Sequence, residues 1–585
     1  MAIGALALAV CAGPASADCK LSMVAQLPVT MVGMKPTVPI KIEGQDVTMV
    51  TDSGAFFSML TPQAVRRLGL KEEPAPFGYR IRGVGGSSDV KVVRIKDLTL
   101  LGYTFHSAVF LVAPASIGGG ADGLLAQNIM NLFDVEYDLA NGAIRLFRPQ
   151  GCAGAPLAYW DKTNSYAVIP VDRPDPVSAK VRSTAKVNGV EIRVIFDTGA
   201  GVSTLTTKAA ARAGVTLDTP GVQPAGTVSG IGPRAVDTWI APFDSFALGE
   251  EQIKNTRLRI GAIDLEDADM LIGPDFFLSH RIFLSNSQRK MYFTYNGGSV
   301  FRLDTPPQTQ AKASDAAPPS AAPAAGQTSD TPADADGFSR RGAAFMARRD
   351  FADAAADFSH AMELAPSEPR YAFERAMARR PNGQPFLAMG DLDQALKLKP
   401  DFVQALMARG VMRMAGHDLA GARTDFEAAA KSDSNMRLAI AGIYDGEGLQ
   451  DDAIGQYDLW ILAHPKDDAM AEALNGRCWA RGQSGRDLDK ALADCDGALK
   501  LKPHTSAFLD SRGLVRLRLG QFDGAITDYD EALKLQPKLA WSLYGRGLAE
   551  LKKGLKAQGD ADIQAATALA PRLPEEAKRH GIAPS

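Results

Sequence analysis

The sequence has almost no excess of charge of either sign. Its 64 Lys and Arg nearly balance 67 Asp and Glu, for a net charge of −3. Such a chain lacks the basic footprint of a nucleic-acid or anionic-membrane binder. Histidine and cysteine are also scarce, with 7 and 5 in 585 residues. The histidines (His106, His280, His360, His417, His464, His504, His580) are scattered. No His-Glu-x-x-His occurs and the cysteines lack zinc spacing, so neither a metal nor another cofactor is expected. There is no Gly-x-Ser-x-Gly nucleophile elbow. The glycine run Gly83–Gly86 has neither Gly-x-Gly-x-x-Gly nor a Gly-Lys-Ser/Thr ending, which argues against a nucleotide loop. The apolar run at the start is too short to span a bilayer, and no other segment is long and apolar enough to cross one.

What is present is an ordinary globular composition, 46% apolar and 22% charged, on a chain too long for one core. About two to four domains are expected. The first residues form a short apolar run that ends in Ala15-Ser16-Ala17, an A-x-A cleavage signature. Residues 1–17 therefore read as a secretory signal peptide, and the expected location is periplasmic or secreted. The basic n-region is missing, as it would be if the true start codon lay upstream. The competing readings are a disordered Ala-rich terminus and, more weakly, a lipoprotein cysteine at Cys11. Cleavage after Ala17 leaves Cys19, Cys152, Cys478 and Cys495, an even number that suits an oxidising compartment. Cys19 and Cys152 bracket one β-rich block, and a disulfide between them would tie its ends. Cys478 and Cys495 fall in one helical hairpin, as either a disulfide or two buried thiols.

Val-Thr-Met-Val-Thr-Asp52-Ser53-Gly54-Ala55 returns 145 residues later as Ile-Arg-Val-Ile-Phe-Asp197-Thr198-Gly199-Ala200. Each copy ends a predicted β-hairpin, the first turning at Gly44 and the second at Asn188-Gly189, the strongest two-residue hairpin signal. The surrounding blocks, residues 28–150 and 177–302, align further. Ser58-Met-Leu-Thr61 matches Ser203-Thr-Leu-Thr206, and short helices over 62–68 and 207–213 follow. A Gly-rich turn comes next in each block, with Gly83, Gly85 and Gly86 against Gly230 and Gly232. Asp122-Gly-Leu-Leu-Ala126 then matches Asp269-Met-Leu-Ile-Gly273, and two closing strands end each block. This is an all-β domain duplicated in tandem.

Residues 303–335 are dense in Pro, Ala, Ser, Thr and Asp and poor in large apolar residues, so a disordered linker is expected there. From 336 to about 575 the period changes. Pro366 and Pro400 are 34 residues apart, as are Pro503, Pro537 and Pro571. Gly342, Ala354, Phe358 and Ala361 recur in register as Gly410, Ala422, Phe426 and Ala429, and as Gly513, Ala525, Tyr529 and Ala532. A 34-residue period with these residues resembles the tetratricopeptide repeat, which implies an all-α solenoid of about seven helical pairs. Gly and Ala let paired helices approach, the aromatic fills the gap and Pro stops the second helix. The acidic residues of the repeats are expected, for the most part, on solvated faces.

The Asp-Ser/Thr-Gly-Ala motif after a hairpin, the Gly-rich turn and the late apolar motif together resemble the retropepsin-like aspartic proteases over residues 28–302. The resemblance implies that each half donates one catalytic aspartate, Asp52 and Asp197. It implies loop support from Ser53, Gly54, Thr198 and Gly199, with the Gly-rich turns as flaps over a polypeptide substrate. Two carboxylates a few ångströms apart cannot both ionise, so they share one proton and can activate a water against a peptide carbonyl. The expected activity is that of an aspartic endopeptidase, with the repeats recruiting protein partners. The first half departs from the pattern in two places: it has Ser53 rather than Thr, which the family tolerates, and Ala126 where the second half has Gly273, adding a methyl where backbone packs close. Two alternatives stay open: a protease-like scaffold that binds peptides without cleaving them, and halves that pair between chains in a dimer. The separation of the two carboxylates discriminates between a site within one chain and a site shared between chains.

Overall fold

In a computed structural model the protein is described at residues 19–301 and 332–582, apart from 76–79, 84–85, 90, 101, 114–116, 118–119, 164, 173–179, 229–235, 266–267 and 468. The proposed signal segment and most of the proposed linker lie outside the described residues. The chain divides into two compact units, residues 1–391 and 392–585.

The first unit holds the duplicated β-structure. In the first half, strands Lys35–Ile42 and Gln45–Thr51 form the expected hairpin, and Gly123–Leu125 runs parallel to the second of them. Gly123–Leu125 is wedged between Gln45–Thr51 and Met59–Leu60, so the late apolar motif sits directly behind the loop that follows Thr51. Strand Lys35–Ile42 also pairs with Lys91–Leu100, which curls the 8-stranded sheet back on itself. The second half repeats this with 7 strands. Hairpin Val181–Val187/Val190–Phe196, inserted Met270–Ile272 and a closing contact of Val181–Val187 with Val236–Leu248 occupy the matching places.

The short helices Pro62–Arg67 and Thr207–Arg212 start alike. Thr61 and Thr206 cap them, each hydroxyl accepting from a backbone N–H at 3.1 Å, those of Ala64 and Ala209. Asp122 and Asp269 also play one role twice. Each accepts from a strand N–H at 3.0 Å, that of Thr48 or Arg193, and pairs with an arginine of the short helix, Arg67 or Arg212.

A 6-stranded sheet joins the halves, three strands from each: Lys20–Pro28, Ala143–Gln150 and Asp134–Asp138, then His280–Ser285, Lys290–Tyr295 and Ala167–Pro170. The seam is antiparallel, with Val135 opposite Leu284 and Tyr137 opposite Ile282. Across it, Arg281 of the second half donates to the buried Glu136 of the first at 2.9 Å, and Arg145 donates to the same carboxylate. Leu27, Val135, Tyr137, Ile282, Leu284 and Phe293 contribute to one core that runs through both halves. Cys19 and Cys152 are bonded and close a span of 133 residues around the first half.

Fifteen helices follow among the described residues, from Ala335–Arg348 to Leu573–Arg579. They form seven antiparallel pairs and a terminal helix, as the repeat period implied. The glycine–aromatic register has a steric basis. A Cβ on Gly410 would lie 2.5 Å from the Phe426 ring, and one on Gly513 2.7 Å from Tyr529. Cys478 and Cys495 are bonded, so the second cysteine pair is a disulfide. The expectation for the acidic residues is corrected at one position in five of the seven helical pairs. Asp357, Asp391, Asp425, Asp494 and Asp528 are buried, and each is held by an arginine of its own helical pair: Arg341, Arg375, Arg409, Arg477 and Arg512. Helical packing leaves these carboxylates no route to water, and the guanidinium fork supplies their partners instead.

Candidate active site

Each catalytic-motif loop begins where its strand is pinned by the inserted apolar strand. The backbone N–H of Asp52 donates to the Leu125 carbonyl at 2.9 Å, and that of Asp197 to the Ile272 carbonyl at 2.8 Å. The chain then turns so tightly that the N–H groups two and three residues on point back at the carboxylate. Gly54 and Ala55 donate to Asp52 Oδ1 at 2.9 and 2.7 Å. Gly199 and Ala200 donate to Asp197 Oδ1 at 2.9 and 3.0 Å. Both carboxylates are therefore fixed by the same pair of backbone donors.

The two loops lock onto each other through four crossed hydrogen bonds. The Ser53 N–H donates to Thr198 Oγ1 at 3.0 Å, and the Thr198 N–H donates to Ser53 Oγ at 3.0 Å. Each hydroxyl then donates across to the other half, Ser53 to the Phe196 carbonyl at 2.8 Å and Thr198 to the Thr51 carbonyl at 2.8 Å. Ser53 is 2% exposed and Thr198 0%.

This lock brings Asp52 and Asp197 within hydrogen-bonding reach of each other in one chain. The Asp197 carboxyl is held well above the usual carboxylate range, first by burial and then by the charge and hydrogen bond of Asp52. Lys35 and the Gly199 N–H act in the opposite direction. A raised Asp197 beside Asp52 is the effect expected of two like charges at contact. The glycines are required by close approach. A Cβ on Gly54 would stand 2.3 Å from Asp197 Cγ, and one on Gly199 2.2 Å from Asp52 Oδ2.

Ala126 and Gly273 occupy equivalent places with equivalent bonds. Their N–H groups donate to Ser58 Oγ at 2.9 Å and Ser203 Oγ at 2.8 Å. The second half packs too tightly for a methyl, since a Cβ on Gly273 would lie 2.8 Å from the Val202 carbonyl carbon. Around Ala126 the loop hydrogen bonds nevertheless match those around Gly273. Two residues on, Asn128 and Asp275 both receive the serine that supports the loop, from Ser58 Oγ at 2.7 Å and Ser203 Oγ at 2.6 Å.

In the first Gly-rich turn, Gly83 pairs with Gly86 in the hairpin Arg80–Gly83/Gly86–Asp89. Gly85, Gly230 and Gly232 lie outside the described residues.

Sequence reasoning missed three groups at the site. Gln127 Nε2 donates to the Ser53 carbonyl at 3.3 Å. Tyr137 lies behind it, its phenol held above the usual range mainly by burial and, less, by the charge of Asp52. Lys35, at the tip of the hairpin Thr30–Val32/Lys35–Ile42, donates from Nζ to the Gly199 carbonyl of the other half. The signal for Lys35 was available: Lys35 and Lys180 stand at the same distance before Asp52 and Asp197 in the duplicated sequence. Lys180 instead lines a pocket with Asp172, Asn286 and Arg289. Among the described residues no cluster of His, Cys, Asp or Glu could hold a metal, and no helix is long and apolar enough to cross a membrane.

Residues 38–129 and 183–276 both match the aspartyl protease family. Residues 382–437 match the tetratricopeptide repeat, and residues 513–554 match a TPR repeat family. No curated protein matches the sequence. Solved structures similar to the chain include a tetratricopeptide repeat protein from Parabacteroides merdae, at 15% identity over 42% of this chain and 96% of that one, TM-score 0.33. The C-terminal part of a TPR repeat-containing protein from Cytophaga hutchinsonii is similar at 16% identity over 42% of this chain and 98% of that one, TM-score 0.33. The chain thus carries two tandem copies of the aspartyl protease family's domain, followed by tetratricopeptide repeats.

Proposed function

We propose that this protein is an aspartic endopeptidase that works in the periplasm or outside the cell, with its repeats recruiting protein substrates or partners. One observation carries the reading: Asp52 and Asp197, from two copies of one motif, meet within hydrogen-bonding reach on loops locked by Ser53 and Thr198. The chemistry follows from one proton shared by two carboxylates. The ionised carboxylate takes a proton from a water between the pair while the protonated one donates to the scissile carbonyl oxygen. The water oxygen bonds to the carbonyl carbon and a tetrahedral diol forms. Collapse of the diol breaks the C–N bond: one diol hydroxyl returns its proton to the carboxylate that had protonated the carbonyl as C=O reforms, and the proton taken from water goes to the leaving amine, which restores the singly protonated pair. Which aspartate starts ionised is a property of the pair.

Substrate held by repeats on the same chain as the dyad would be raised in local concentration through the tether. Two disulfides suit an oxidising compartment. Removal of residues 1–17 as a signal would leave Asp18 as the mature N-terminus, and N-terminal sequencing of exported protein showing another start would refute that boundary.

The test is incubation of the full-length protein with a peptide library at mildly acidic pH, alongside Asp52→Asn and Asp197→Asn. Cleavage by the wild type alone is expected. Cleavage that persists unchanged in either variant would remove the dyad from the mechanism. An inert wild type that still binds the peptides would make the site a scaffold.

A further inference from the structure

The dyad carries a charge problem that its own loops only partly solve. Burial and the charge of Asp52 both favour the neutral form of Asp197, and a fully protonated pair cannot act as a base toward water. A cation is present at the site, and it comes from outside the two motif loops. Lys35 reaches across from the first half, and its Nζ donates to the carbonyl of Gly199, the residue whose N–H holds Asp197 Oδ1 at 2.9 Å. The ammonium and the Asp197 carboxylate are thus set on opposite ends of one glycine.

Its position is built into the fold. Lys35 begins a strand whose hairpin partner is Thr30–Val32, and Thr37 Oγ1 donates back to the Thr30 carbonyl at 2.7 Å. The Val29 N–H, just before that partner strand, donates to the Gly142 carbonyl at 2.8 Å. A Cβ on Gly142 would lie 2.7 Å from the Cβ of Arg340, so the helix Ala335–Arg348 packs close at the same place. The core that includes Val29 and Met31 also includes Ala344 and Ala347 of that helix. The base of the hairpin is held on both sides, and its tip delivers the lysine to the other half's loop.

We propose that Lys35 is a positioning residue for the dyad: its ammonium, fixed on the Gly199 carbonyl beside Asp197, keeps the carboxyl pair singly ionised at pH values where it would otherwise hold two protons. As a statement about catalysis this rests on the peptidase reading above. Among the described residues, the titratable groups that act on the dyad from the strands packed against it are Lys35 and Tyr137. Tyr137 stays neutral, because burial holds its phenol above the usual range, so it cannot substitute for the cation. A positive charge lowers both proton affinities of the pair. Both limbs of a bell-shaped pH profile therefore sit lower with Lys35 than without it.

The experiment is the pH profile of kcat/KM for full-length wild type, Lys35→Met and Lys35→Arg on a peptide that the wild type cleaves. Lys35→Met is expected to move both limbs upward by about one pH unit or more, an activity loss of about tenfold at a fixed pH on the acid limb. Lys35→Arg keeps the charge and is expected to keep the wild-type limbs. Limbs that stay in place in Lys35→Met, or that move equally in Lys35→Arg, overturn the proposal. A rise in kcat/KM at every pH with no shift also overturns it, because the lysine would then be blocking the site. A wild type that cleaves nothing sinks the peptidase reading and leaves Lys35 testable. Carbon-13 carboxyl resonances of Asp52 and Asp197, assigned with the two Asn variants, should then titrate at higher pH in Lys35→Met. Unchanged midpoints would overturn the inference independently of activity.

Discussion

Replacing Thr198 by Val tests whether the crossed lock holds the two halves in register. The substitution conserves shape and removes one hydroxyl at a position that is 0% exposed. That hydroxyl accepts from the Ser53 N–H at 3.0 Å and donates to the Thr51 carbonyl at 2.8 Å. Its loss strands the Ser53 N–H, on a residue only 2% exposed, with no route to water. An unpaired buried polar group costs about 1–3 kcal/mol, so with the weakened carbonyl the total comes to roughly 2–4 kcal/mol. Each kcal/mol lowers the melting temperature of a domain this large by about 2–4 °C. Calorimetry of the full chain should therefore show the transition of the first unit falling by roughly 4–16 °C, with that of the unit 392–585 as an internal reference. Thr198→Ser keeps the hydroxyl and loses one methyl, and should cost only about 0.8 kcal/mol. Added to Ser53→Ala, Thr198→Val should show a coupling of about 0.5–3 kcal/mol, since the two residues share one network. A Thr198→Val transition shifted by less than about 0.5 kcal/mol, or a Thr198→Ser variant equally damaged, would refute the claim that the hydroxyl lock sets the register.

Two further outcomes follow from the same structure. Cys19 and Cys152 close a span of 133 residues, and on loop-entropy grounds the double serine variant should lose about 2–5 kcal/mol, checked by denaturant unfolding with and without a reductant; an oxidised wild type no more stable than the reduced one would contradict this. Asp197→Asn should stabilise the fold in a pH-dependent way. Because burial and Asp52 raise the Asp197 proton affinity in the folded state, folding of the wild type weakens as pH rises above the ordinary carboxylate range, about 3.9. The variant's advantage should be absent near about pH 3 and grow to roughly 1–3 kcal/mol toward neutrality. A pH-independent difference between the two melting curves would show that the dyad carries no charge strain.

Duplication is what made the site legible in the sequence. Asp52 and Asp197 stood out because their neighbours recur together, and the recurring neighbours proved to be structural equivalents. Thr61 and Thr206 cap matching helices, while Asp122 and Asp269 pin matching strands. The helical repeats were legible for a similar reason, because Gly410 and Gly513 answer to rings that local spacing already placed opposite them. Buried Asp425 and Asp528 were not legible, because an acidic residue on a helix reads as solvated until the packing of its partner helix is known. Asn128 and Asp275 were equally hidden, since a buried Asn and a buried Asp can accept the same serine hydroxyl while looking unlike in sequence.

By itself the sequence determined the two β halves, the helical period and which carboxylates could form a pair, because hydrophobic alternation, turn residues and repeat spacing are local properties of the chain. Only the tertiary structure decided that Asp52 and Asp197 meet within one chain, that the closing strands of both halves form a single sheet, and that Lys35 faces Gly199. Those contacts join residues far apart along the chain. They depend on how two closed sheets dock edge to edge, and local pattern does not encode that docking.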